Sequence, residues 1–356
     1  MHLGLIYLLV IAKCTIGIEL QILDGYFYTI NVTIGSPPQV FTLALDITTS
    51  NTWVFGNSSE LDLIGENKTY YDPRYSVTSL RVAPFQQNSS LSSNEQVSNL
   101  IKKYDTTIFA DAMQLNHDNI GSIRFIVVEN YDVGSYSYLP TNGLFGLGQD
   151  VLENGIGIIS NILHFKKANT ISLYTPRNVH NDKAYMLFGE ASPHVNCKQT
   201  NWTLFDVYDN TNESSKLFEM KYTFSKFGTH KLQSPSYPYF ALSTLTSYIT
   251  VNTPMFKLIS KTLTPFHDRN RTKPVHTVNC KWRNEAPPLE FGTKDFKFSI
   301  PPSDYIQETK PNYCVLKIRL NEANPRWVFG ISFLKNYCVQ FRLQDKKVGF
   351  IPSAEP

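Results

Sequence analysis

The residue types that most often carry catalysis occur in this chain, but not at the spacing of standard catalytic motifs. The sequence contains no His-Glu-x-x-His, no Gly-x-Ser-x-Gly, no Cys-x-x-Cys and no phosphate-binding Gly-x-x-x-x-Gly-Lys pattern. The sequence Gly146-Leu147-Gly148 is followed by Val151, which breaks the dinucleotide-binding fingerprint. The eight histidines form no i, i+4 pair. We therefore predict no metal site and no cofactor.

The elements that could position other chemistry are mostly short strands. Aromatic and β-branched residues predict strands at residues 26–35, 41–45, 123–128, 327–333 and 338–343. A helical period is clearest at residues 151–165 and 253–262. The polar residues 86–99 predict a surface loop, and residues 176–182 predict a connection between two lobes. The pattern is typical of an all-β protein with minor helices.

Composition excludes several classes of function. The 356 residues are 42% hydrophobic and 18% charged, which is typical of a folded protein of about two domains. The chain has 33 Lys and Arg and 30 Asp and Glu, so its formal net charge at pH 7 is only +3. This balance indicates neither a nucleic-acid partner nor binding to an anionic membrane surface.

The N-terminus predicts export. Residues 3–12, LGLIYLLVIA, have the length of a signal-peptide core and are too short to cross a bilayer. Small residues near Gly17 predict cleavage after it; the alternative is a membrane anchor or a buried N-terminal strand. No later apolar run reaches the roughly 18 residues of a membrane helix. We expect a secreted, soluble and monomeric chain that begins at Ile18.

Cysteines and glycosylation sequons agree with export. Outside the predicted signal peptide four cysteines remain, an even number that predicts two disulfides with three possible connectivities. Seven sequons are candidates for N-glycosylation if the chain is exported. They begin at Asn31, Asn57, Asn67, Asn88, Asn201, Asn212 and Asn270.

Residues 26–56, YFYTINVTIGSPPQVFTLALDITTSNTWVFG, resemble the N-terminal lobe of the pepsin family of aspartic proteases. That family opens with Y-x-x-x-I-x-I-G-x-P-P-Q, and a hydrophobic strand then ends in D-T-G-S-S-N-x-W-V. Further matches follow in the family's order at residues 71–76, 104, 142–148, 171–189, 327–330 and 347–350. Together they cover nearly the whole mature chain.

The resemblance implies a bilobal pepsin-like fold, with two six-stranded-barrel-type β lobes, a cleft between them and minor helices. After the predicted signal peptide at residues 1–17, it implies an N-terminal lobe with a flap at 18–176 and a C-terminal lobe at 177–356. In the family each lobe supplies one catalytic Asp. The two carboxylates lie about 3 Å apart, share a proton and hold the attacking water.

In this chain the carboxylate pair is incomplete. Asp46 matches the first catalytic Asp of the family. Residues 239–252, YFALSTLTSYITVN, align with the second motif and place Ser243 at the second catalytic position, whereas a shift by one residue would place Leu242 there. Neither residue has a carboxyl group, and an alcohol does not titrate in the working pH range.

Further departures from the family pattern surround these two positions. Ile47 and Thr48 replace the Thr and Gly that follow the first Asp, and Ile331 and Arg342 replace two further Asp residues. A β-branched residue such as Thr48 resists a positive φ. Residues 105–107, Asp-Thr-Thr, stand where the family has Gly-Thr-Gly at the tip of its flap.

The resemblance also assigns roles outside the two turns. Tyr104 is expected to be the flap tyrosine. Cys280 and Cys314 fall where the family has its C-terminal disulfide, so Cys197 and Cys338 would then pair. Residues 18–25 are too few for the prosegment of the family's zymogens, which we expect a protein without activity not to need; the alternative is a truncated gene model.

Three functions remain open. The favoured interpretation is a secreted, catalytically inactive glycoprotein whose cleft binds a peptide or protein ligand. The alternative from the enzyme class is a weak or altered aspartic endopeptidase that uses Asp46. The third is a structural protein whose cleft is filled by its own side chains.

Overall fold

The computed structural model describes thirteen segments of the chain, and every structural statement below concerns them. They are residues 17–23, 27–56, 69–84, 105–129, 140–148, 158–177, 183–189, 197–198, 200–208, 218–232, 237–268, 275–321 and 326–354. The predicted surface loop at 86–99 and Tyr104 lie outside them, as does most of the predicted connection at 176–182.

Strands dominate the described residues. They are β1 (Gly17–Leu23), β2 (Phe27–Ile34), β3 (Gln39–Asp46), β4 (Trp53–Phe55), β5 (Leu80–Pro84), β6 (Asp105–Leu115), β7 (Asp118–Glu129), β8 (Gly143–Gly146), β9 (Thr170–Tyr174), β10 (Ala184–Phe188), β11 (Thr203–Asp206), β12 (Glu219–Lys221), β13 (Phe224–Phe227), β14 (His230–Leu232), β15 (Tyr239–Leu242), β16 (Ile249–Val251), β17 (Phe266–Asp268), β18 (Val275–Val278), β19 (Leu289–Gly292), β20 (Lys297–Ile300), β21 (Ile306–Lys310), β22 (Tyr313–Leu316), β23 (Ile318–Leu320), β24 (Trp327–Phe329), β25 (Tyr337–Arg342) and β26 (Lys347–Pro352).

Helices are few and short. They are α1 (Ile158–Lys166), α2 (Thr253–Leu263), α3 (Trp282–Glu285), α4 (Pro302–Tyr305) and α5 (Ile331–Leu334), with one 3₁₀ turn at Pro73–Tyr75. Asn252 caps α2 by accepting a hydrogen bond from the Met255 backbone N–H at 3.2 Å. Both predicted helices are confirmed, although residues 151–157 of the first are not described.

The N-terminal strands form a closed barrel. Its order is β2, β3, β8, β4, β7 and β6, and pairing of β2 with β6 closes the ring. The short strands β4 and β8 are buried throughout, and in the barrel Tyr28, Phe41, Phe125 and Phe145 are fully buried. The barrel therefore rigidly positions the C-terminal end of β3, where Asp46 lies.

A second sheet joins the two ends of the chain. Its order is β11, β26, β25, β9, β10 and β1. The expectation that the first strand begins near residue 26 is wrong, because β1 precedes it and pairs antiparallel with both β10 and β2. Ile18 and Leu20 are buried in β1 and Glu19 between them is exposed, which is the alternation expected of a strand covered on one face.

The C-terminal strands form smaller sheets around an aromatic core. One has the order β12, β15, β24, β16 and β23. Behind it Phe291 stacks on Phe329 with ring centroids 4.5 Å apart, and Phe240 meets both rings edge-on. These rings fix the sheet that carries Ser243 at one strand end.

Two predicted segments need correction. The strand predicted at 327–333 ends at Phe329, and α5 follows, because the chain must turn at Gly330 against the backbone of Thr246. Residues 105–107 are not a flap tip: they lie in β6, paired with Glu129 through Val127 of β7. Burial alternates regularly from Thr107 to Leu115, and the pairing with β7 carries the strand back to Asp105.

The two predicted disulfides form. Cys197 bonds to Cys338 and Cys280 bonds to Cys314, the pairing that the resemblance implies. Within the described segments no helix is long and apolar enough to span a membrane. Two of the seven sequon asparagines, Asn31 and Asn201, are described, and both are exposed; the other five lie outside the described residues.

Candidate functional site

Asp46 and Ser243 lie at equivalent ends of two matched strand sets. In the barrel, β3 runs parallel to β8, β8 antiparallel to β4, and β4 parallel to β7. In the C-terminal sheet, β15 runs parallel to β24, β24 antiparallel to β16, and β16 parallel to β23. This is one topology used twice, and each copy presents a turn at the end of its first strand.

The register of the two ladders relates the two residues directly. Ala44 and Leu45 pair with Leu144 and Phe145, and Asp46 pairs with Gly146. In the second copy Ala241 and Leu242 pair with Val328 and Phe329, and the Ser243 N–H donates to the Phe329 carbonyl at 2.9 Å. Asp46 follows the pair of Leu45 with Phe145, and Ser243 follows the pair of Leu242 with Phe329. Ser243, and not Leu242, is therefore the residue that corresponds to Asp46.

The Asp46 carboxylate is fully buried and held by its own turn. Its Oδ1 accepts a hydrogen bond from the Thr48 N–H at 2.7 Å and a second from the Thr48 hydroxyl at 2.5 Å. A glycine at residue 48 could supply only the first of these bonds. Thr48 is not among the described residues with a positive φ, so its β-branched side chain is accommodated without backbone strain.

The second turn has the same shape but different chemistry. The Ser243 Oγ accepts a hydrogen bond from the Leu245 N–H at 3.3 Å, as the Asp46 carboxylate does from the residue two positions later. Leu245 also lacks a positive φ, and its side chain is 1% exposed. From Ser243 to Tyr248 the sequence STLTSY contains no carboxyl group. This turn offers a hydroxyl where the first offers an acid.

One threonine holds the two turns together. The Thr244 Oγ1 donates to the Leu45 carbonyl at 2.5 Å and accepts from the Ile47 N–H at 3.3 Å. Both bonds are fully buried and join residues almost two hundred positions apart. Ile47 occupies the position in the first turn that matches Thr244 and has no hydroxyl. Of these two side chains, only Thr244 therefore forms hydrogen bonds to the opposite turn.

Two glycines let the neighbouring strands approach these turns. A Cβ on Gly146 would lie 2.5 Å from the Asn51 carbonyl oxygen, and one on Gly330 would lie 2.1 Å from the Thr246 carbonyl oxygen. Any side chain there would push the turn out of the cleft floor. Next to Gly330, the Ile331 N–H donates to the same Thr246 oxygen at 2.9 Å, so Ile331 supports the turn through its backbone.

Of the remaining predicted residues, Tyr104 lies outside the described segments. Arg342 lies in β25, where its Nε donates to Gln340. Among the described residues no group of three or more His, Cys, Asp or Glu side chains could hold a metal ion.

Sequence reasoning missed a pair of cations beside the second turn. Lys317 is 2% exposed, and its Nζ lies 3.5 Å from the Ser247 Oγ and 4.8 Å from the centre of the Tyr248 ring. The Arg319 guanidinium covers the same ring at 3.4 Å. Burial, together with the Arg319 charge, lowers the pKa of Lys317 from 10.5 to about 8. The only signal in the sequence is the i, i+2 spacing of these two cations among apolar residues.

The fold and the paired turns agree with a comparison of the whole chain. A family model described as eukaryotic aspartyl protease matches residues 27–353. The chain belongs to this family. Its all-β, bilobal pepsin-like architecture follows from that membership and from the repeated strand topology.

Individual members of the eukaryotic aspartyl protease family are distant from this chain. Aspartic protease 17 of Caenorhabditis elegans is 22% identical over 342 residues, which cover 91% of this chain and 82% of that protein. Gastricsin of Cavia porcellus is 22% identical over 333 residues, covering 91% and 79%. Plasmepsin VIII of Plasmodium berghei is 24% identical over 361 residues, covering 95% and 91%.

Proposed function

We propose that this chain is a secreted pepsin-fold glycoprotein that has lost proteolysis and uses its cleft to bind a peptide or protein ligand. The observation that carries the proposal is the second turn, where Ser243 stands at the position equivalent to Asp46. Both turns keep the backbone framework of a catalytic pair, but only one carries an acid.

Proteolysis by this fold needs two carboxyl groups with different protonation states. One must be ionised to take a proton from water, and the other must be protonated to support the scissile carbonyl. Ser243 cannot fill either role, because its hydroxyl does not ionise near neutral or acidic pH. Loss of general acid–base catalysis alone lowers a rate by about 10² to 10⁴.

A retained cleft is the reason to propose binding instead. Thr244 still ties the two turns together, and Gly146 and Gly330 still allow the close packing beneath them. A structural protein with no ligand would not require this framework at the floor of a cleft. Two disulfides and the exposed sequon residues Asn31 and Asn201 support export and glycosylation.

Cleavage of a mixed peptide substrate from acidic to neutral pH tests the loss of activity. We expect no cleavage that pepstatin inhibits, and the same background rate for the wild type and Asp46→Asn. Asn has nearly the shape of Asp, so Asp46→Asn removes the acid at this buried position with little change in packing. Pepstatin-sensitive cleavage that disappears in Asp46→Asn would overturn the proposal.

The alternative function is a weak aspartic endopeptidase that uses Asp46 with a neighbouring hydroxyl. The observation in its favour is the Thr48 hydroxyl, which lies 2.5 Å from the Asp46 carboxylate and could stand in for part of the missing partner. Thr48→Gly separates this alternative from the favoured function. A residual activity that depends on this hydroxyl would fall in Thr48→Gly, whereas ligand binding without catalysis predicts no activity to lose.

A further inference from the structure

The strand β11 is the outer edge of the sheet that joins the two ends of the chain. On one side it pairs with β26, from Thr203 opposite Phe350 to Asp206 opposite Lys347. Among the described strands none pairs with its other side, where the order of the sheet ends. An edge of this kind presents unpaired backbone donors and acceptors, to which a strand of a second molecule can bond.

Apolar side chains lie on this edge. Leu204 is 39% exposed and pairs with Gly349 of β26, and the half-buried Trp202 reaches over the same glycine. A Cβ on Gly349 would lie 3.1 Å from each of these two side chains, so the glycine leaves the room that they occupy. Exposed apolar residues on an unpaired edge favour association with another chain.

Only one end of β11 is protected by charge. Asp206 and Lys347 form an ion pair at 3.2 Å, and the Asp206 side chain is 87% exposed. A second strand that paired there would have to remove this charge from water, which costs free energy. Residues 200–205 read TNWTLF and contain no charged residue. The beginning of the edge therefore needs another form of protection.

A glycosylation sequon stands at this uncharged end. It is Asn201-Trp202-Thr203, and its last residue is the first residue of β11. Asn201 is exposed and precedes the strand by two positions, about 7 Å of extended chain. An N-linked glycan is bulky and solubilising. On Asn201 it would occupy space that an added strand would need.

We propose that the N-glycan on Asn201 covers the open edge of β11 and prevents a second copy of this chain from pairing with it. This inference rests on the proposed export and glycosylation, and it gives one sequon a specific role. Asp206 protects one end of the edge by its charge, and the glycan protects the other end by its bulk.

The full chain, secreted from eukaryotic cells that glycosylate it, tests the inference. Glycopeptide mass spectrometry shows whether Asn201 carries a glycan. Analytical ultracentrifugation then measures self-association of the wild type and of Asn201→Gln. We expect a glycan on Asn201 and a dimer dissociation constant that is at least about tenfold lower in Asn201→Gln than in the wild type.

Asn31→Gln is the matched control. Asn31 is also an exposed sequon residue, but it lies within the barrel strand β2, opposite Thr42, whose hydroxyl donates to it at 2.8 Å. Other strands of the barrel lie on both sides of β2, so a glycan there covers no open edge. We expect Asn31→Gln to associate no more strongly than the wild type.

A second substitution locates the contact. Leu204→Lys added to Asn201→Gln should restore the wild-type dissociation constant, because the lysine stem keeps the packing over Gly349 while its charge stays in water. Leu80→Lys, at an exposed leucine of the edge strand β5 at the opposite end of the sheet order, should not restore it. Urea denaturation confirms that each variant is folded.

The outcomes distinguish the inference from the proposed function. A bare Asn201 next to a glycosylated Asn31, or an Asn201→Gln that associates no more strongly than the wild type, would overturn the inference and leave the glycoprotein assignment intact. Association that Leu204→Lys does not reverse would place the contact elsewhere and overturn it as well. A chain without any glycan would contradict both.

Discussion

The Asp46 carboxylate accepts two hydrogen bonds from the single residue Thr48, one from its backbone and one from its side chain. The sequence predicted that Thr48 would be poorly tolerated if the turn required a positive φ. The turn does not require it, and the extra hydroxyl becomes a second donor to the buried acid. A substitution that looks damaging in the sequence therefore strengthens the hold on Asp46.

Much of the candidate site was accessible from the sequence at the level of single residues. Asp46 and Ser243 could be aligned because strong apolar strands precede both turns. The pairing of Lys317 and Arg319 beside Tyr248 could not be predicted from the sequence. It depends on the parallel pairing of β16 with β23 and on the position of the Tyr248 ring. Neither fact is encoded in local spacing.

The Thr244 hydroxyl makes a testable contribution to stability. Thr244→Val keeps the shape of the side chain but leaves the Ile47 N–H without its partner, so we expect a loss of about 1–3 kcal/mol in the free energy of unfolding. Urea denaturation measures it. The control is Thr262→Val, because the Thr262 hydroxyl bonds only to Leu258 of its own helix. An equal loss in both variants would contradict a special role for Thr244.

Lys317 gives a stability prediction that depends on pH. Its pKa in the folded protein is about 8 and its ordinary value is 10.5, so the unfolded chain binds the proton more tightly. The resulting penalty is complete below pH 8, decreases between the two values and vanishes above 10.5. We expect Lys317→Met to stabilise the fold at neutral pH by on the order of 3 kcal/mol, measured by denaturation across this range.

The groups that face Lys317 on the ring side are Arg319 and Tyr248, and both remain in the variant. Lys281→Met, at an exposed lysine, should change the free energy of unfolding by less than about 0.5 kcal/mol. A gain for Lys317→Met that stays constant up to alkaline pH would show that packing, not the charge, is responsible.

At the level of elements, the sequence predicted where strands occur more accurately than it predicted where they begin and end. The strand assigned to 327–333 stops at Phe329 because Gly330 must fit against the Thr246 backbone, a contact with a segment about eighty residues away. The strand β1 was missed because its alternation is short and directly follows the predicted signal peptide. Boundaries set by tertiary contacts cannot be derived from local pattern alone.

The two disulfides close loops of different length within the C-terminal half. Cys197 and Cys338 are 141 residues apart, and Cys280 and Cys314 are 34 apart. Since the entropy removed from the unfolded chain grows with the logarithm of loop length, Cys197→Ala/Cys338→Ala should cost roughly 1 kcal/mol more than Cys280→Ala/Cys314→Ala. Denaturant midpoints of the two double variants test this order, and the reverse order would contradict it.

At the level of the whole molecule, one sheet crosses the predicted boundary between residues 176 and 177. β9 lies before it, yet Leu173 pairs with Met186 of β10 on one side and Val339 of β25 on the other. Ile18 of β1 likewise pairs with Met186. The two lobes therefore share a sheet that neither predicted segment contains in full.

This arrangement predicts that residues 18–176 do not fold stably alone. That fragment would lose the strand partners of β9 and half of the pairing of β1, which exposes sheet edges. We expect rapid proteolysis and a poorly dispersed NMR spectrum, whereas the full chain resists the protease. Restoration by adding residues 177–356 in trans is the control. A monomeric, protease-resistant fragment would contradict the prediction.

The shared sheet also sets an order of events during biosynthesis. When Ile18 has been synthesised, its strand partner Met186 is still to be translated, and Val339, the second strand partner of Leu173, follows only near the end of synthesis. The first strand therefore waits for its partner in β10 until about half of the chain has been made. The bond between Cys197 and Cys338 can also form only late, because Cys338 lies close to the end of the chain.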